Sequence, residues 1–407
     1  MNSELPASNN EQSGLASPGM RSLLAAQFLS ALADNLLFVV AIALLKQAAD
    51  GAALMPVLQV MFVIAFVVLA PFVGALADAF PKGRVMFYAN LVKLVGAVVV
   101  LYGAHPLFGY ALAGVGAAIY SPAKYGILPQ LVRPQQLVKA NGWLEGSTIV
   151  AILLGVVLGG FLADHSLALA GGVAAALYAL AAGINLWIPR LAIVHRLHRQ
   201  EIPRLVMAFF RDIVRLWRHP DVRFSVIGTS LFWGMGSSLR LLLFVWVPAA
   251  LLLNDNQTPA NLMGVLSIGI VAGATLAGLW VSLDRVNRAL WGGVLLGPLV
   301  LLLAPMHSLS AAALVLFGIG LAGGLFVVPL NALLQERGAE TVGAGRILAV
   351  QNFFENLSML VMSGLYFWAV EAGIKPIPLA LLFGGGILLG MLALAWWRRG
   401  HRGMAVG

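Results

Sequence analysis

The chain has 407 residues, 60% of them hydrophobic and only 10% charged, with a formal net charge of +9 and no cysteine. A soluble domain carries about 25% charged residues, so too little polar surface is present to cover a water-soluble globule, and soluble enzymes and nucleic-acid-binding proteins are excluded together. The missing cysteine removes disulfides, thiolate metal sites and a cysteine nucleophile. The first stretch, Met1 to Met20, is polar and rich in Ser, Pro and Gly, as disordered segments are. Arg21 and Ala31-Leu32-Ala33 imitate a cleaved leader, but Asp34 and Asn35 are followed by a second apolar run from Leu36 to Leu45, so a spanning segment with a polar pair at mid-depth is expected.

A spanning helix needs about 20 mostly apolar residues. With that ruler, spans fall near 22–45, 56–77, 84–104, 107–128, 142–163 and 167–188, and after a basic stretch near 224–251, 261–282, 288–304, 309–333, 343–370 and 376–397. The predicted fold is therefore an all-α membrane protein with twelve transmembrane helices. Its organisation is a cytoplasmic tail (1–21), an amino-terminal half (22–188), a basic linker (189–223), a carboxy-terminal half (224–397) and a second tail (398–407).

Basic residues set the expected orientation. Lys82, Arg84, Arg133, Lys139, Arg285, Arg288, Arg337, Arg398, Arg399 and Arg402 fall at the ends or in alternate loops, against Lys46 and Lys375 on the opposite side, which places both termini in the cytoplasm. The linker carries Arg190, Arg196, Arg199, Arg204, Arg211, Arg215, Arg218 and Arg223. Within it, Ile202, Leu205, Val206, Phe209, Phe210, Ile213 and Leu216 recur at helical spacing, the pattern of an amphipathic helix at an anionic membrane surface. That pattern explains the arginines without nucleic acid.

The two halves repeat at an offset of 206: Asp34 aligns with Arg240, and Asp78 with Asp284. Further on Pro122 and Lys124 align with Pro329 and Asn331, and Asn141 and Glu145 with Gln351 and Glu355, the offset drifting to 210. Two six-helix halves in parallel repeat are the pattern of a transporter with its substrate path between them.

Charges at bilayer depth are costly and face a cavity or a partner. Asp34, Lys93, Lys124, Glu145, Arg240 and Glu355 are the candidates, with Lys93 read as an ion pair or as a side chain snorkelling from a helix end. Asp34 and Arg240 are expected to pair across the halves. Pro122 is expected to open the helix beside Lys124. Arg and Lys suit a phosphate, Asp34 an ammonium, and the aromatic walls around Phe28, Phe38, Phe232, Trp233, Phe244 and Trp246 an acyl tail. Catalytic signals are weak: Ser121-x-x-Lys124 has no Lys-Thr-Gly element, no His is followed by Asp five residues on, and the histidines form no metal-ligand spacing. No cofactor is expected.

The segment Gly74-Ala-Leu-Ala-Asp78-Ala-Phe-Pro-Lys82-Gly83-Arg84 resembles the loop signature of the major facilitator superfamily, degraded in the second half to Asp284 and its bases. Gly74, Asp78, Arg84 and Asp284 are read as gating residues. Longer stretches resemble the lysophospholipid transporter family within it: Gln27 to Asn35, Gly116 to Leu128, Leu137 to Thr148, Gly228 to Gly234 with Leu239-Arg240, Val327 to Gly338, and Val350 to Asn356. The resemblance implies a flippase carrying lysophosphatidylethanolamine and lysophosphatidylglycerol from the outer to the inner leaflet of the bacterial inner membrane. It also implies a cytoplasmic acyltransferase/acyl-carrier-protein synthetase partner and polar path residues Asp34, Lys124 and Arg240. Asn35, Glu145, Asn331 and Glu355 complete the expected substrate-binding set. An exporter of amphipathic drugs or organic anions is the alternative.

Overall fold

The computed structural model describes residues 14–46, 51–102, 105–189, 191, 193, 203–253 and 257–400. The expectations for Arg190, Arg196, Arg199, Ile202, Arg402 and the tail before residue 14 lie outside these. The described residues form helices and turns without strands.

The helices run in chain order as α1 (Pro18–Lys46), α2 (Gly51–Ala79), α3 (Lys82–Leu101), α4 (Pro106–Gly126), a single turn α5 (Leu128–Leu131), α6 (Leu137–His165) and α7 (Leu167–Asn185). After the linker come α8 (Leu205–Leu216), α9 (Pro220–Trp246), α10 (Gln257–Trp280), α11 (Ala289–Leu303), α12 (Leu309–Glu340), α13 (Ala344–Glu371) and α14 (Pro376–Gly400). Among the described residues eleven helices are long and apolar enough to cross a membrane. The remaining long helix, α4, has 21 residues, with Pro122, Lys124 and three tyrosines diluting its hydropathy. Its length matches the others, so the predicted spans and the observed helices correspond one to one.

Pro122 does not break α4. The helix continues to Gly126, and α12 likewise runs through Pro329. A proline removes one backbone hydrogen bond, and packed neighbours in a membrane bundle absorb that loss. The expected opening of the backbone beside Lys124 is therefore absent.

Two compact units can be drawn: residues 1–140, 150–209 and 338–349 in one, and 141–149, 210–337 and 350–407 in the other. In the first unit α1 lies along α7, and α4 lies along α2 and α3. Its core joins Leu36, Leu37, Val40 and Leu45 of α1 to Ala97 and Val100 of α3, Tyr110 and Ala113 of α4, and Ala170 and Tyr178 of α7. Phe62 stacks on Tyr110 at 5.1 Å between ring centres. In the second unit α14 packs on α9 and α11. There α10 and α12 meet through facing small residues, Gly269-x-x-x-Gly273 against Gly320-x-x-x-Gly324: a Cβ on Gly273 would collide with the Leu321 carbonyl, and one on Gly320 with that of Leu266. Lipid tails are as apolar as leucine, so such close backbone approach supplies the attraction that hydrophobicity cannot.

Candidate functional site

In the first unit four helices bring polar side chains together in an apolar surround. The Nζ of Lys93 on α3 donates to Asp34 Oδ2 on α1 at 2.8 Å and to Ser30 Oγ at 3.0 Å. Ser30 in turn donates to Asn90 Oδ1 at 2.7 Å. The hydroxyl of Tyr178 on α7 donates to Asp34 Oδ1 at 2.7 Å. The ammonium also lies 5.1 Å from the ring centre of Tyr120 on α4 and 5.8 Å from that of Tyr178, within reach of cation–π attraction.

One expectation narrows here and another changes. Lys93 is 2% exposed and lies mid-helix, so it is a buried ion-pair partner and does not snorkel. Asp34 finds its charge partner on α3, within its own unit, where the repeat pointed to Arg240. Both carboxylate oxygens are engaged, so Asp34 is no vacant acceptor for an ammonium. A ligand would bind there by exchanging with Lys93 or Tyr178. Asn35 beside it is half-buried and donates to the Ala31 carbonyl at 2.8 Å, within its own helix.

Lys124 is buried on α4, its Nζ 4.2 Å from the ring centre of Tyr125. Arg240, on the last third of α9, is exposed.

The second unit holds another polar chain, this time built on amides. Gln351 Nε2 on α13 lies 2.7 Å from Asn331 Oδ1, 2.7 Å from Glu355 Oε1 and 3.4 Å from Thr229 Oγ1. Asn331 Nδ2 on α12 donates to Glu145 Oε1 at 3.3 Å. Asn141 and Gln335 exchange reciprocal amide hydrogen bonds at 2.8 and 2.7 Å. All of these side chains except Thr229 and Gln335 were set in register or singled out by sequence patterns, and the structure brings Glu145, Asn331 and Glu355 into one network. Buried amides that are mutually satisfied fix the register of the helices that carry them.

The residues expected to act in gating separate into two kinds. Asp78 at the end of α2 is 1% exposed, and accepts from the backbone N–H groups of Gly345 at 2.8 Å and Arg346 at 3.0 Å. These are among the first residues of α13, so Asp78 caps that helix in trans, where a carboxylate also meets the positive end of the dipole. Gly74 lets the contact form: a Cβ there would lie 2.8 Å from the Arg346 Cα. Lys82, at 4.0 Å from Asp78, supplies the basic partner, while Arg84 is exposed. Asp284 is exposed in the turn Leu283–Arg288 before α11. The ion-paired acid near the corresponding end of the second unit is instead the half-buried Asp221 in the first turn of α9. It accepts from Arg398 at 2.6 Å and Arg337 at 3.1 Å, and Arg398 also donates to Asn287 at 3.0 Å. Sequence reasoning missed this cluster, as it missed Tyr178, because partners more than a hundred residues apart leave no spacing to read.

A sequence profile of the Major Facilitator Superfamily matches residues 23–363. A protein of Citrobacter koseri named lysophospholipid transporter LplT is 50% identical over 383 residues, 94% of this chain and 96% of that one. A Shigella boydii protein of the same name is 48% identical over 387 residues, 95% and 98% of the two chains. Among solved structures, the Escherichia coli fucose:proton symporter FucP covers 93% of this chain and 98% of its own, at a TM-score of 0.74 and 15% identity, a likeness of fold alone.

Proposed function

The chain belongs to the major facilitator superfamily, and from that premise we propose that it is a flippase moving lysophospholipids, such as lysophosphatidylethanolamine and lysophosphatidylglycerol, from the outer to the inner leaflet of a bacterial inner membrane. The observation that carries this reading is identity of 48–50% over nearly the full length of both chains to proteins named lysophospholipid transporters. The polar chemistry supports it. A lysolipid needs cationic donors for its phosphate and apolar walls for one acyl chain. Lys93 and Lys124 are buried cations on helices whose other residues are mostly apolar.

In this reading Lys124 and Arg240 hold the phosphate, and Asp34 trades Lys93 for the substrate's amine or hydroxyl groups as the headgroup arrives. Asn35, Glu145, Asn331 and Glu355 line or brace the same path. Gly74, Asp78, Arg84 and Asp284 belong to the switching machinery, with Lys82 and Asp221 as ion-pairing members. Both termini face the cytoplasm, where the charge bias places them. The chain performs no chemistry of its own: a cytoplasmic acyltransferase/acyl-carrier-protein synthetase restores the second acyl chain.

Vesicles or spheroplasts given labelled lysolipid, followed by analysis of the products, test this. Purified protein in vesicles is expected to move lysolipid unchanged, and cells with the acyltransferase to convert it to diacyl lipid. Absence of movement, or chemical change by the purified protein, overturns the reading.

A further inference from the structure

The helix α8 is too short to span a membrane, at 12 residues, and presents three faces. Leu205, Phe209 and Leu216 are buried, at 6%, 6% and 1% exposure. At 3.6 residues per turn a second stripe carries Val206, Met207, Phe210 and Val214, which are 43%, 66%, 53% and 59% exposed. A third stripe, adjoining the second, carries Arg211 and Arg215, extended by Arg204 before the helix and Arg218 after it, all exposed. Four large apolar side chains in one exposed row would be a liability in water. Beside a row of arginines, they match the boundary of a bilayer whose headgroups are negative.

The chain itself places this helix at such a boundary. The spanning helix α7 ends at Asn185, and the spanning helix α9 begins at Pro220, four residues after Leu216. Trp217 follows at once and lies 5.2 Å, ring centre to ring centre, from Phe354 of α13. Phe354 neighbours Glu355 and is one turn from Gln351, both in the buried amide network.

We propose that α8 docks on anionic lipid, with Val206, Met207, Phe210 and Val214 in the hydrocarbon and Arg204, Arg211, Arg215 and Arg218 on the headgroups, and that this docking, passed to α13 through Trp217 and Phe354, makes the transport rate depend on the negative lipid content of the leaflet. The regulatory half rests on the proposed lysolipid transport; the docking half does not. The partner is identified by charge complementarity. A protein ligand for the same face is an outcome of the test.

The absence of native cysteine permits single-site labelling of the full chain. Met207→Cys and Arg215→Cys, each carrying an environment-sensitive fluorophore, are reconstituted in vesicles of phosphatidylcholine alone or mixed with phosphatidylglycerol. At position 207 the probe is expected to be quenched by a nitroxide on the lipid chains and shielded from aqueous iodide, more so with phosphatidylglycerol; at position 215 iodide quenches. Equal iodide access at both positions in the anionic vesicles overturns the docking and leaves the face to a soluble partner.

In the same vesicles the wild-type rate of lysolipid transport is expected to rise with phosphatidylglycerol, by about fivefold for one engaged arginine. The variant with all four arginines changed to Gln is expected to stay flat. An equal rise in both, or in neither, overturns the regulation. If no lysolipid moves in any vesicle, the proposed function fails, and the fluorescence result still decides the docking.

Discussion

Lys93 and Asp34 face each other with 3% and 18% side-chain exposure, and a charge stranded at that depth is costly. Removing one partner of a buried pair typically destabilises by ~3–5 kcal/mol, whereas replacing both with apolar groups can be neutral. Lys93→Met is therefore expected to lower the melting temperature in detergent clearly, and the double variant Lys93→Met/Asp34→Leu to recover most of it while transporting nothing. A double variant as unstable as the single one would show that the pair does not hold the fold. Asp34→Asn keeps an acceptor for Tyr178 and Lys93, so it is expected to express normally and lose most uptake; uptake near wild type would remove Asp34 from the path. Both charges were legible as intramembrane polar residues. Their pairing was not: the repeat weighs only equivalent positions, and the 59-residue separation of Asp34 and Lys93 encodes no periodicity. Lys124 carries a separate prediction, because its repeat counterpart is the neutral Asn331. A charge-assisted contact is worth roughly 1.5–3 kcal/mol, so Lys124→Ala is expected to weaken both lysolipids tenfold or more, with Lys124→Arg restoring part. Equal weakening of a phosphate-free amphiphile would make Lys124 a structural charge.

Helices were legible because every span had to satisfy its own backbone inside lipid, and length and apolarity alone reveal such segments. What failed at this scale was the effect of Pro122, since helix continuity depends on neighbours that a local reading does not see. The join between α2 and α13 shows the same limit. The motif around Asp78 was visible, but its ligand, the amino terminus of a helix 267 residues away, was not. Gly343, just before α13, has φ +103°, a conformation strained for any residue with a Cβ, and a Cβ there would lie 2.5 Å from Asp78 Oδ2. Gly343→Ala is thus expected to displace the carboxylate and mimic Asp78→Asn. That variant loses a charged cap worth ~1 kcal/mol. Both are expected to slow transport while equilibrium binding of lysolipid in detergent stays intact, since neither residue belongs to the polar clusters around Lys93 and Gln351. Loss of binding alongside transport in both variants would place the cap in the substrate site.

For the molecule as a whole, the strongest constraint is where its charges sit along the chain. In the proposed topology twelve long helices alternate direction across the membrane, so the start of α3, the segments before α6 and α11 and the end of α14 share one side, and the segment before α14 lies on the other. The first set includes Arg84, Arg133, Arg285 and Arg399; the second includes Lys375. Lys and Arg are retained on the cytoplasmic side during insertion, and the proposal that both ends of the chain are cytoplasmic rests on this bias. The count matters as much as the bias. If α4, the helix that hydropathy alone does not select, failed to cross, every residue after it would change sides, and Lys82 with Arg84 would oppose Arg285 and Arg399. Three single-cysteine proteins separate these cases: Arg84→Cys, Arg285→Cys and Lys375→Cys, all at exposed positions. In intact spheroplasts a membrane-impermeant maleimide is expected to label only Lys375→Cys, and all three after permeabilisation. Labelling of Arg285→Cys but not Arg84→Cys from outside would mean that an odd number of helices lies between them, and the twelve-span reading would fall.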